Sequence, residues 1–181
     1  MVAGNLQFRV ATLDDAAQLQ QLVQTAFRTE DSRQDWTGNV ELASSFKLDI
    51  EEVKAKISNP DMITLIAFDN NNALIATIDV SRRGADFGRL SMIAVDNRYQ
   101  RGGVGRQVLS YAENYCRRTL DVKKFSLNAL STRKSLIEWY IRRGYQKTGE
   151  TTPFPLERHG NLALPDDICF IEMEKDFSEA S

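Results

Sequence analysis

Residues 95–106 read VDNRYQRGGVGR and connect a predicted strand, Phe87–Val95, to an amphipathic helix predicted over Gly102–Thr119. Glycines at 102, 103 and 105 let the backbone turn tightly and let a ligand approach bare amides. The first amides of a helix have no intrahelical partner, and the helix dipole places about half a positive charge there. Three arginines add cationic charge around the turn: Arg98, Arg101 and Arg106. The segment therefore predicts a phosphate-binding turn between a strand and a helix.

Two common phosphate-binding motifs do not describe this turn. The chain contains no G-x-x-x-x-G-K-[ST] sequence, which disfavours a P-loop nucleotide hydrolase. Val108 stands where the third glycine of a dinucleotide-binding G-x-G-x-x-G motif would be. That motif also follows an early strand of a parallel sheet, whereas this turn follows the fourth predicted strand. Some other phosphate-bearing ligand is therefore expected.

Hydrophobic periodicity gives the order β-α-α-β-β-β-α-β-α-β-β along the chain. Strands are predicted over Leu6–Val10, Met62–Phe68, Leu74–Val80, Phe87–Val95, Phe125–Ala129, Tyr145–Glu150 and Ile168–Lys175. Besides Gly102–Thr119, helices are predicted from a Thr12 cap to Phe27, over Ile50–Ile57 and over Thr132–Arg143. Hairpins require antiparallel pairs, and the strand-helix-strand passage from Phe87 to Ala129 predicts one parallel crossover. We expect a mixed α/β fold whose central, mostly antiparallel sheet is flanked by helices, as a single domain over 1–181 with a frayed tail at 176–181.

Composition excludes several classes of protein. The 181 residues contain 23 Lys and Arg against 25 Asp and Glu, so we expect no dedicated nucleic-acid binder. Two cysteines, Cys116 and Cys169, and the lone His159 cannot supply the usual four ligands of a structural zinc site, and no metal is expected. No uncharged apolar run is long enough to cross a bilayer, and Met1–Gln7 does not read as a secretory signal. The expected location is the cytoplasm, without membrane association.

Two motifs resemble those of the GCN5-related N-acetyltransferase (GNAT) family. QRGGVG at residues 100–105 matches the family signature [QR]-x-x-G-x-[GA]. RKSLIEWYIRRGY at residues 133–145 is similar to the second family motif, N-x-x-A-x-x-F-Y-x-x-x-G-F. The six-residue signature would recur by chance, but both motifs at family-like separation and in the same order of elements make a specific match. The resemblance covers nearly all of Leu6 to Lys175.

The resemblance implies acetyl-CoA as cosubstrate and a set of site residues. The pyrophosphate-binding loop would comprise Gln100, Arg101, Gly102, Gly103, Val104, Gly105 and Arg106. Backbone groups of Ile93, Ala94 and Val95 would pair with the pantetheine arm and the acetyl carbonyl, where the central strands separate. Tyr140 matches the tyrosine that protonates the leaving CoA thiolate. Arg133 stands where the family has an asparagine that contacts the cofactor, whereas Trp139 is expected to pack in the core.

The implied reaction is direct attack of a primary amine on the thioester within a ternary complex. An alkylammonium with a pKa near 10.4 is mostly charged at pH 7, so a base or a water chain must remove its proton. Some family members use a glutamate on the fourth strand, where this chain has Arg89. Asp79, Asp86, Glu41 or water are the alternatives, although Asp79 reads as a solvated carboxylate at a strand edge.

Two irregular segments are expected to flank the acceptor. One spans Thr29–Ser45, whose acidic residues favour a cationic amine, and the other begins at Thr151. Pro153 and Pro155 stiffen the second segment around Phe154, which favours a small-molecule acceptor over a peptide. The alternatives are a protein or peptide N-acetyltransferase, an acyltransferase for longer acyl groups, and a non-catalytic acyl-CoA sensor. The expected assembly is a monomer or a homodimer.

Overall fold

The fold is described from a computed structural model over residues 5–30, 48–99, 102–154 and 168–177, without the side chains of 28–30. Seven strands form one sheet in the order β1-β2-β3-β4-β5-β7-β6. Their bounds are β1 Gln7–Val10, β2 Met62–Phe68, β3 Leu74–Arg83, β4 Phe87–Val95, β5 Lys124–Leu130, β6 Gln146–Pro153 and β7 Cys169–Asp176. The predicted order of strands and helices is confirmed.

The sheet is antiparallel at every described pair of neighbouring strands except one. β4 and β5 run parallel, with Phe87 opposite Lys124 and Arg89 opposite Ser126. The helix that follows the glycine turn provides the crossover between them. The mixed, mostly antiparallel sheet and its single parallel crossover were therefore predicted correctly.

The described residues include four α-helices that cover the sheet: α1 Ala16–Glu30, α2 Ile50–Ser58, α3 Val104–Tyr115 and α4 Lys134–Arg142. On one face, Leu19 of α1 and Val53 of α2 pack with Ile66 of β2. On the other face, the main cluster joins α3 and α4 to the strands and includes Val108 and Ile137. The two helical layers thus lie on opposite faces of the sheet. Both faces carry apolar side chains, because successive residues of a strand point to opposite faces.

Local sequence explains where these elements begin and end. The amide of Thr12 donates to the Asp15 carboxylate at 2.8 Å, which caps the short 3₁₀ turn that leads into α1. Asp49 caps α2 by accepting the Glu51 amide at 3.0 Å. Asn59 and the proline after it end that helix, as predicted.

Several boundaries differ from the predictions: β3 ends at Arg83 rather than Val80, α1 at Glu30 rather than Phe27, and β7 includes Asp176, which was predicted to begin the frayed tail. The regular part of α3 ends at Tyr115 and continues as a π-helical turn over Cys116–Leu120 rather than as α-helix to residue 119. Residues 151–153, predicted to begin the irregular segment, extend β6 instead, where Thr151 pairs with Ile171 and Pro153 with Cys169. Pro153 is tolerated there because β6 lies at the edge of the sheet.

Candidate active site

Strands β4 and β5 separate in the middle of the sheet. Among the described residues, their register pairs run only from Phe87 and Lys124 to Arg89 and Ser126. Beyond that point β4 continues beside β3 to Val95, whereas β5 pairs with β7. An opening therefore forms between two neighbouring strands, and the backbone of β4 borders it. This is the separation that the family resemblance implies.

A β-bulge shapes the part of β4 that borders this opening. Asp79 pairs with Ser91 and Thr77 pairs with Ala94, so Met92 and Ile93 together stand opposite Ile78. Met92 has a φ of 52°, the left-handed backbone that a bulge with an extra residue can impose. The bulge alters the direction of the backbone groups at Ile93 and Ala94, two of the predicted ligand-binding residues.

The glycine turn lies at the end of β4. Gly103 has a φ of 80° and precedes the first residue of α3, Val104. Gly103 accepts the Gln107 amide at 3.1 Å, so α3 begins in regular geometry. The amides of Val104, Gly105 and Arg106 belong to the first turn of α3. Amides in this turn have no acceptor within the helix and point out of its start. The predicted anion-binding residues of α3 thus lie together at the start of this helix.

Some polar groups of the predicted loop are already hydrogen-bonded within the protein, whereas others are exposed. The Gly102 amide donates to the Tyr99 carbonyl at 3.1 Å, which occupies it within the turn. The Arg98 guanidinium donates to the Asp96 carboxylate at 3.0 and 3.1 Å and holds the pKa of that carboxyl below its usual range. Arg106 is exposed beside the helix start. Gln100 and Arg101 lie outside the described residues, so their predicted roles stay predictions.

Helix α4 brings the second motif to the glycine turn. A methyl group on Gly105 would lie 3.8 Å from Trp139 Cζ2 and 3.9 Å from Val95 Cγ2. Trp139 therefore packs as predicted, and it also borders the helix start, which the sequence analysis missed. Arg133 is the N-cap residue of α4 and accepts the Ile137 amide at 3.0 Å.

Tyr140, the predicted general acid, is 4% exposed on α4 and faces the main core. Its ring lies edge-on to those of Trp139 and Tyr145, with centroids 5.3 and 5.8 Å away. The Tyr145 hydroxyl donates to Glu113 at 2.8 Å, and Lys175 donates to the same carboxylate at 3.1 Å. Burial and the Glu113 carboxylate raise the pKa of Tyr145, so Tyr145 stays protonated behind Tyr140. This network fixes the orientation of the Tyr140 ring.

The two candidate bases that the structure describes, Asp79 and Asp86, are placed unfavourably for taking a proton from an amine in the opening. Asp79 is 1% exposed rather than solvated, which corrects the expectation for this residue, and it accepts from Thr64 at 3.0 Å and pairs with Lys56 at 2.9 Å. Its burial raises its pKa. Asp86 lies in the turn before β4, roughly 20 Å along that strand from Ile93. Glu41 lies outside the described residues.

Arg89 lies at the last pair before the strands separate. Its guanidinium contacts the carboxylate of Glu172 on β7 and donates to Ser126 at 3.2 Å. Glu172 is 5% exposed and also contacts Arg83. Glu172 was not predicted as a site residue. It lies in an apolar segment of β7, and its partner Arg89 is more than eighty residues away in sequence, so local pattern cannot predict the pair.

Neither a metal-binding cluster nor a membrane-spanning helix occurs among the described residues. They contain no group of three or more His, Cys, Asp or Glu side chains arranged to hold a metal ion. No helix in the same ranges is both long enough and apolar enough to span a bilayer.

Comparison with known families identifies a sequence match over most of the chain. The profile of the acetyltransferase (GNAT) domain matches residues 37–177. No curated protein matches the chain at the significance applied. The family match includes both motifs and every predicted site residue.

Solved structures of acetyltransferases share the fold at low sequence identity. PaiA N-acetyltransferase from Thermoplasma acidophilum, in complex with coenzyme A, has a TM-score of 0.72 and 17% identity, covering 96% of this chain and 100% of its own. Spermidine N-acetyltransferase from Vibrio cholerae, in complex with CoA and spermine, has a TM-score of 0.70 and 14% identity, covering 96% of each chain. A GNAT-family acetyltransferase from Staphylococcus aureus Mu50 has a TM-score of 0.66 and 14% identity, covering 96% of this chain and 99% of its own.

Proposed function

The chain belongs to the GNAT acetyltransferase family, and from that premise we propose that it transfers the acetyl group of acetyl-CoA to a small-molecule primary amine. The observation that supports this most is the opening between β4 and β5 beside the glycine-initiated helix α3. An elongated thioester needs a gap between strands for its arm and an anion-binding turn for its phosphates, and both lie at the end of β4. Coenzyme A complexes of two structural neighbours support the same ligand.

In this proposal the turn and β4 hold the cosubstrate. Amides at Val104, Gly105 and Arg106, together with the exposed Arg106 guanidinium, bind the pyrophosphate through hydrogen bonds and charge. The backbone of Ile93, Ala94 and Val95 pairs with the pantetheine arm. The lack of a side chain at Gly105 leaves space for about one methyl group between Val95 and Trp139. Arg133 contacts the cofactor at the start of α4.

The chemical step is direct transfer. The amine nitrogen attacks the carbonyl carbon, the C–S bond breaks, and the thiolate takes a proton from the Tyr140 hydroxyl. A phenol has a pKa near 10, comparable to that of the leaving thiol, so this donation needs no large shift. Of the candidate bases in the described part of the chain, the oxygens of Asp79 are held by Thr64 and Lys56 and Asp86 lies far along the strand, which favours water as the acceptor of the amine's proton.

A small-molecule acceptor is the form of this proposal that the comparisons support best. The Vibrio cholerae neighbour is a spermidine N-acetyltransferase solved with spermine, and it spans nearly the same length as this chain. A protein or peptide acceptor and a sensor without turnover are the outcomes that would replace it.

A thermal melt with and without acetyl-CoA tests the ligand first. At a hundredfold excess over Kd, binding adds about 2.7 kcal/mol, or about 5–10 °C for a chain of this size. We expect free CoA, but not NAD or ATP, to give a comparable shift. An amine panel followed by thiol release then tests turnover. No shift at millimolar acetyl-CoA contradicts the proposal, whereas a shift without turnover of any amine or peptide supports the sensor.

A further inference from the structure

Two arginines share one buried carboxylate at the edge of the opening. The guanidinium groups of Arg83 and Arg89 both contact Oε1 of Glu172. Within this trio two positive groups contact one negative group, and the carboxylate of Glu174, opposite Ser126 on the same face, balances the remaining charge. Buried charges are tolerated when they are paired, so this arrangement holds both guanidinium groups in fixed positions.

The cluster lies on the face of the sheet that α1 and α2 cover. Arg89 pairs in register with Ser81, and side chains at alternate positions of β3 share a face, which places Arg89 with Asp79 and Arg83. Asp79 contacts Lys56 of α2, so this is the face that α1 and α2 cover, opposite the face of α3 and Tyr140. A molecule that enters from this face toward the opening meets Arg89.

The guanidinium groups remain accessible from that side. The side chain of Arg89 is 20% exposed and that of Arg83 is 50% exposed, whereas the side chain of Glu172 is 6% exposed. Asn128, two residues beyond Ser126 on β5, is exposed and stands opposite Glu172. The surface beside the opening therefore offers N–H donors.

The N–H donors of this cluster favour an amine substrate that carries a hydrogen-bond-accepting group. A guanidinium presents paired donors that match a carboxylate, and it cannot accept a proton at neutral pH. A protonated polyamine offers only N–H donors and cannot accept a hydrogen bond from the guanidinium groups. The acidic residues of 29–45 favour a cationic acceptor, but that segment lies outside the described residues. The cluster favours an acceptor that carries its own anionic group.

On the basis of the proposed function, we propose that the acceptor is a primary amine that also carries a carboxylate, held by Arg89 and Arg83. Arg89 lies four residues before Ile93, about 13 Å along β4, but its guanidinium reaches Glu172 at the level of Asn128, about half of that distance closer to Ile93. The carboxylate and the reacting nitrogen are therefore several bonds apart, as in the side-chain amine of a diamino acid. Arg89 and Arg83 determine specificity, while the turn at Gly103 and Tyr140 serve every acceptor.

Pairs of amines that differ only in the carboxylate test this proposal. Lysine is compared with cadaverine, ornithine with putrescine, and 6-aminohexanoate with pentylamine, by thiol release from acetyl-CoA. We expect kcat/KM to be at least about tenfold higher for the carboxylated member of each pair. A short peptide with a C-terminal lysine and its C-terminal amide distinguish a free amino acid from a peptide carboxylate as the source.

Variants of the cluster identify the residues responsible. Arg89→Gln is expected to lower kcat/KM for the carboxylated amines by about tenfold. The kcat/KM for the amines without the carboxylate should stay nearly unchanged. Arg82→Gln is the matched control, because Arg82 neighbours Arg83 on β3, points to the other face and bonds to backbone carbonyls. If Arg89→Gln does not fold, Arg83→Gln, which changes a half-exposed side chain, provides the same comparison.

The outcomes separate this inference from the function on which it depends. Equal or better use of the decarboxylated amines, or an equal loss for both members with Arg89→Gln, overturns the carboxylate proposal alone. If no amine turns over, the same pairs are added to the CoA-bound protein in a melt, and no preference for the carboxylated member also overturns it. No stabilisation by acetyl-CoA at all overturns the proposed function instead.

Discussion

The ammonium group of Lys56 lies 2.9 Å from Oδ2 of Asp79, and this pair is buried between α2 and the sheet. Lys56→Met removes the only cation that contacts this carboxylate among the described residues and leaves a buried charge. Unpaired buried charges are costly, so we expect a loss of about 2–4 kcal/mol in the free energy of unfolding at pH 7. Urea denaturation measures it.

The pH dependence of this loss reports on Asp79 itself. Burial raises the pKa of Asp79, which means that the folded state favours the protonated form. The loss in Lys56→Met should therefore shrink as the pH is lowered below 7, because protonation of the carboxyl removes the buried charge. Lys54→Met is the control, because Lys54 is exposed and pairs at 3.5 Å with an exposed Glu51. A loss that does not change with pH, or an equal loss in the control, would contradict the assignment.

Tyr140→Phe tests the general acid. The variant keeps the ring that packs against Trp139 and Tyr145 but removes the hydroxyl. We expect kcat to fall by about a hundredfold, while the Kd for acetyl-CoA changes by no more than about twofold. Stopped assays of thiol release and calorimetric titration measure the two quantities.

A second tyrosine supplies the control for this substitution. Tyr111 stacks on Phe8 with ring centroids 4.0 Å apart, and Tyr111→Phe should leave kcat unchanged. If Tyr140→Phe also retains wild-type turnover, the proton donor is another group. If both variants lose activity together, the effect is structural.

Gly103→Ala tests the glycine turn. Its φ of 80° lies in the left-handed region, where an alanine costs about 1 kcal/mol, although its methyl group would meet no atom within 4 Å. A shift of the turn away from this conformation moves the amides at the start of α3. We therefore expect the Kd for acetyl-CoA to rise by about tenfold, or about 1.4 kcal/mol.

Gly84→Ala separates strain from binding. Gly84 has a φ of 65°, has no neighbour within 4 Å of an added methyl group, and lies in the turn between β3 and β4. It should lose similar stability and bind acetyl-CoA as the wild type does. An equal change of Kd in both variants would show that the glycine turn is only a connection.

The order of the elements was predictable because each one carries a local signal. Met62–Phe68 is an unbroken apolar segment, and β2 has these bounds. Gly102, Gly103 and the periodic apolar residues after them define the start of α3. The π-helical turn at Cys116–Leu120 was not predictable, because its hydrogen-bond pattern depends on packing beneath it and not on the residues alone.

The site was only partly predictable for a physical reason of the same kind. The turn at Gly103 and the position of Tyr140 follow from motifs in consecutive residues. The burial of Asp79 and the pairing of Arg89 with Glu172 depend on which strands lie side by side. Alternation along β3 could not show that Lys56 of another element would cover Asp79, so the carboxylate was wrongly expected to be solvated.

Stability in acid should depend on Asp15. Hydrogen bonds from Arg9 at 2.7 and 2.8 Å lower its pKa to about 2. A depressed folded-state pKa contributes stability above the unfolded value, near 4, and that stability is lost as the pH falls through about 2. Arg9 is half exposed, so we expect about 1–2 kcal/mol.

Arg9→Gln should remove most of this contribution at pH 7 and flatten the stability curve between pH 4 and pH 2. The amide and hydroxyl of Thr12 still donate to Asp15, so a smaller slope remains. Arg118→Gln serves as control, because Arg118 is exposed and bonds only weakly, at 3.4 Å, to a backbone carbonyl. A slope in Arg9→Gln equal to that of the wild type would contradict the role of the pair.

The close approach of Gly88 to Cys116 couples β4 to the helix that follows the glycine turn. A methyl group on Gly88 would lie 2.7 Å from Cys116 Sγ and 3.0 Å from its Cβ. Gly88→Ala should therefore cost about 1–3 kcal/mol through overpacking. Cys116→Ala should cost about 1 kcal/mol, because it removes a fully buried sulfur whose pKa burial raises to about 12.

The double variant decides whether contact with the sulfur is the cause. In Gly88→Ala with Cys116→Ala the new methyl group occupies part of the space that the sulfur leaves, although the 3.0 Å approach to Cβ remains. The combined loss should be smaller than the sum of the single losses by about 1 kcal/mol, measured from urea midpoints of the four proteins. Gly88→Ala with Cys169→Ala should be additive, because Cys169 lies on β7 outside this contact. Additive losses in both double variants would mean that the Cβ of Cys116 and the side chain of Val122, and not the sulfur, limit the space at Gly88.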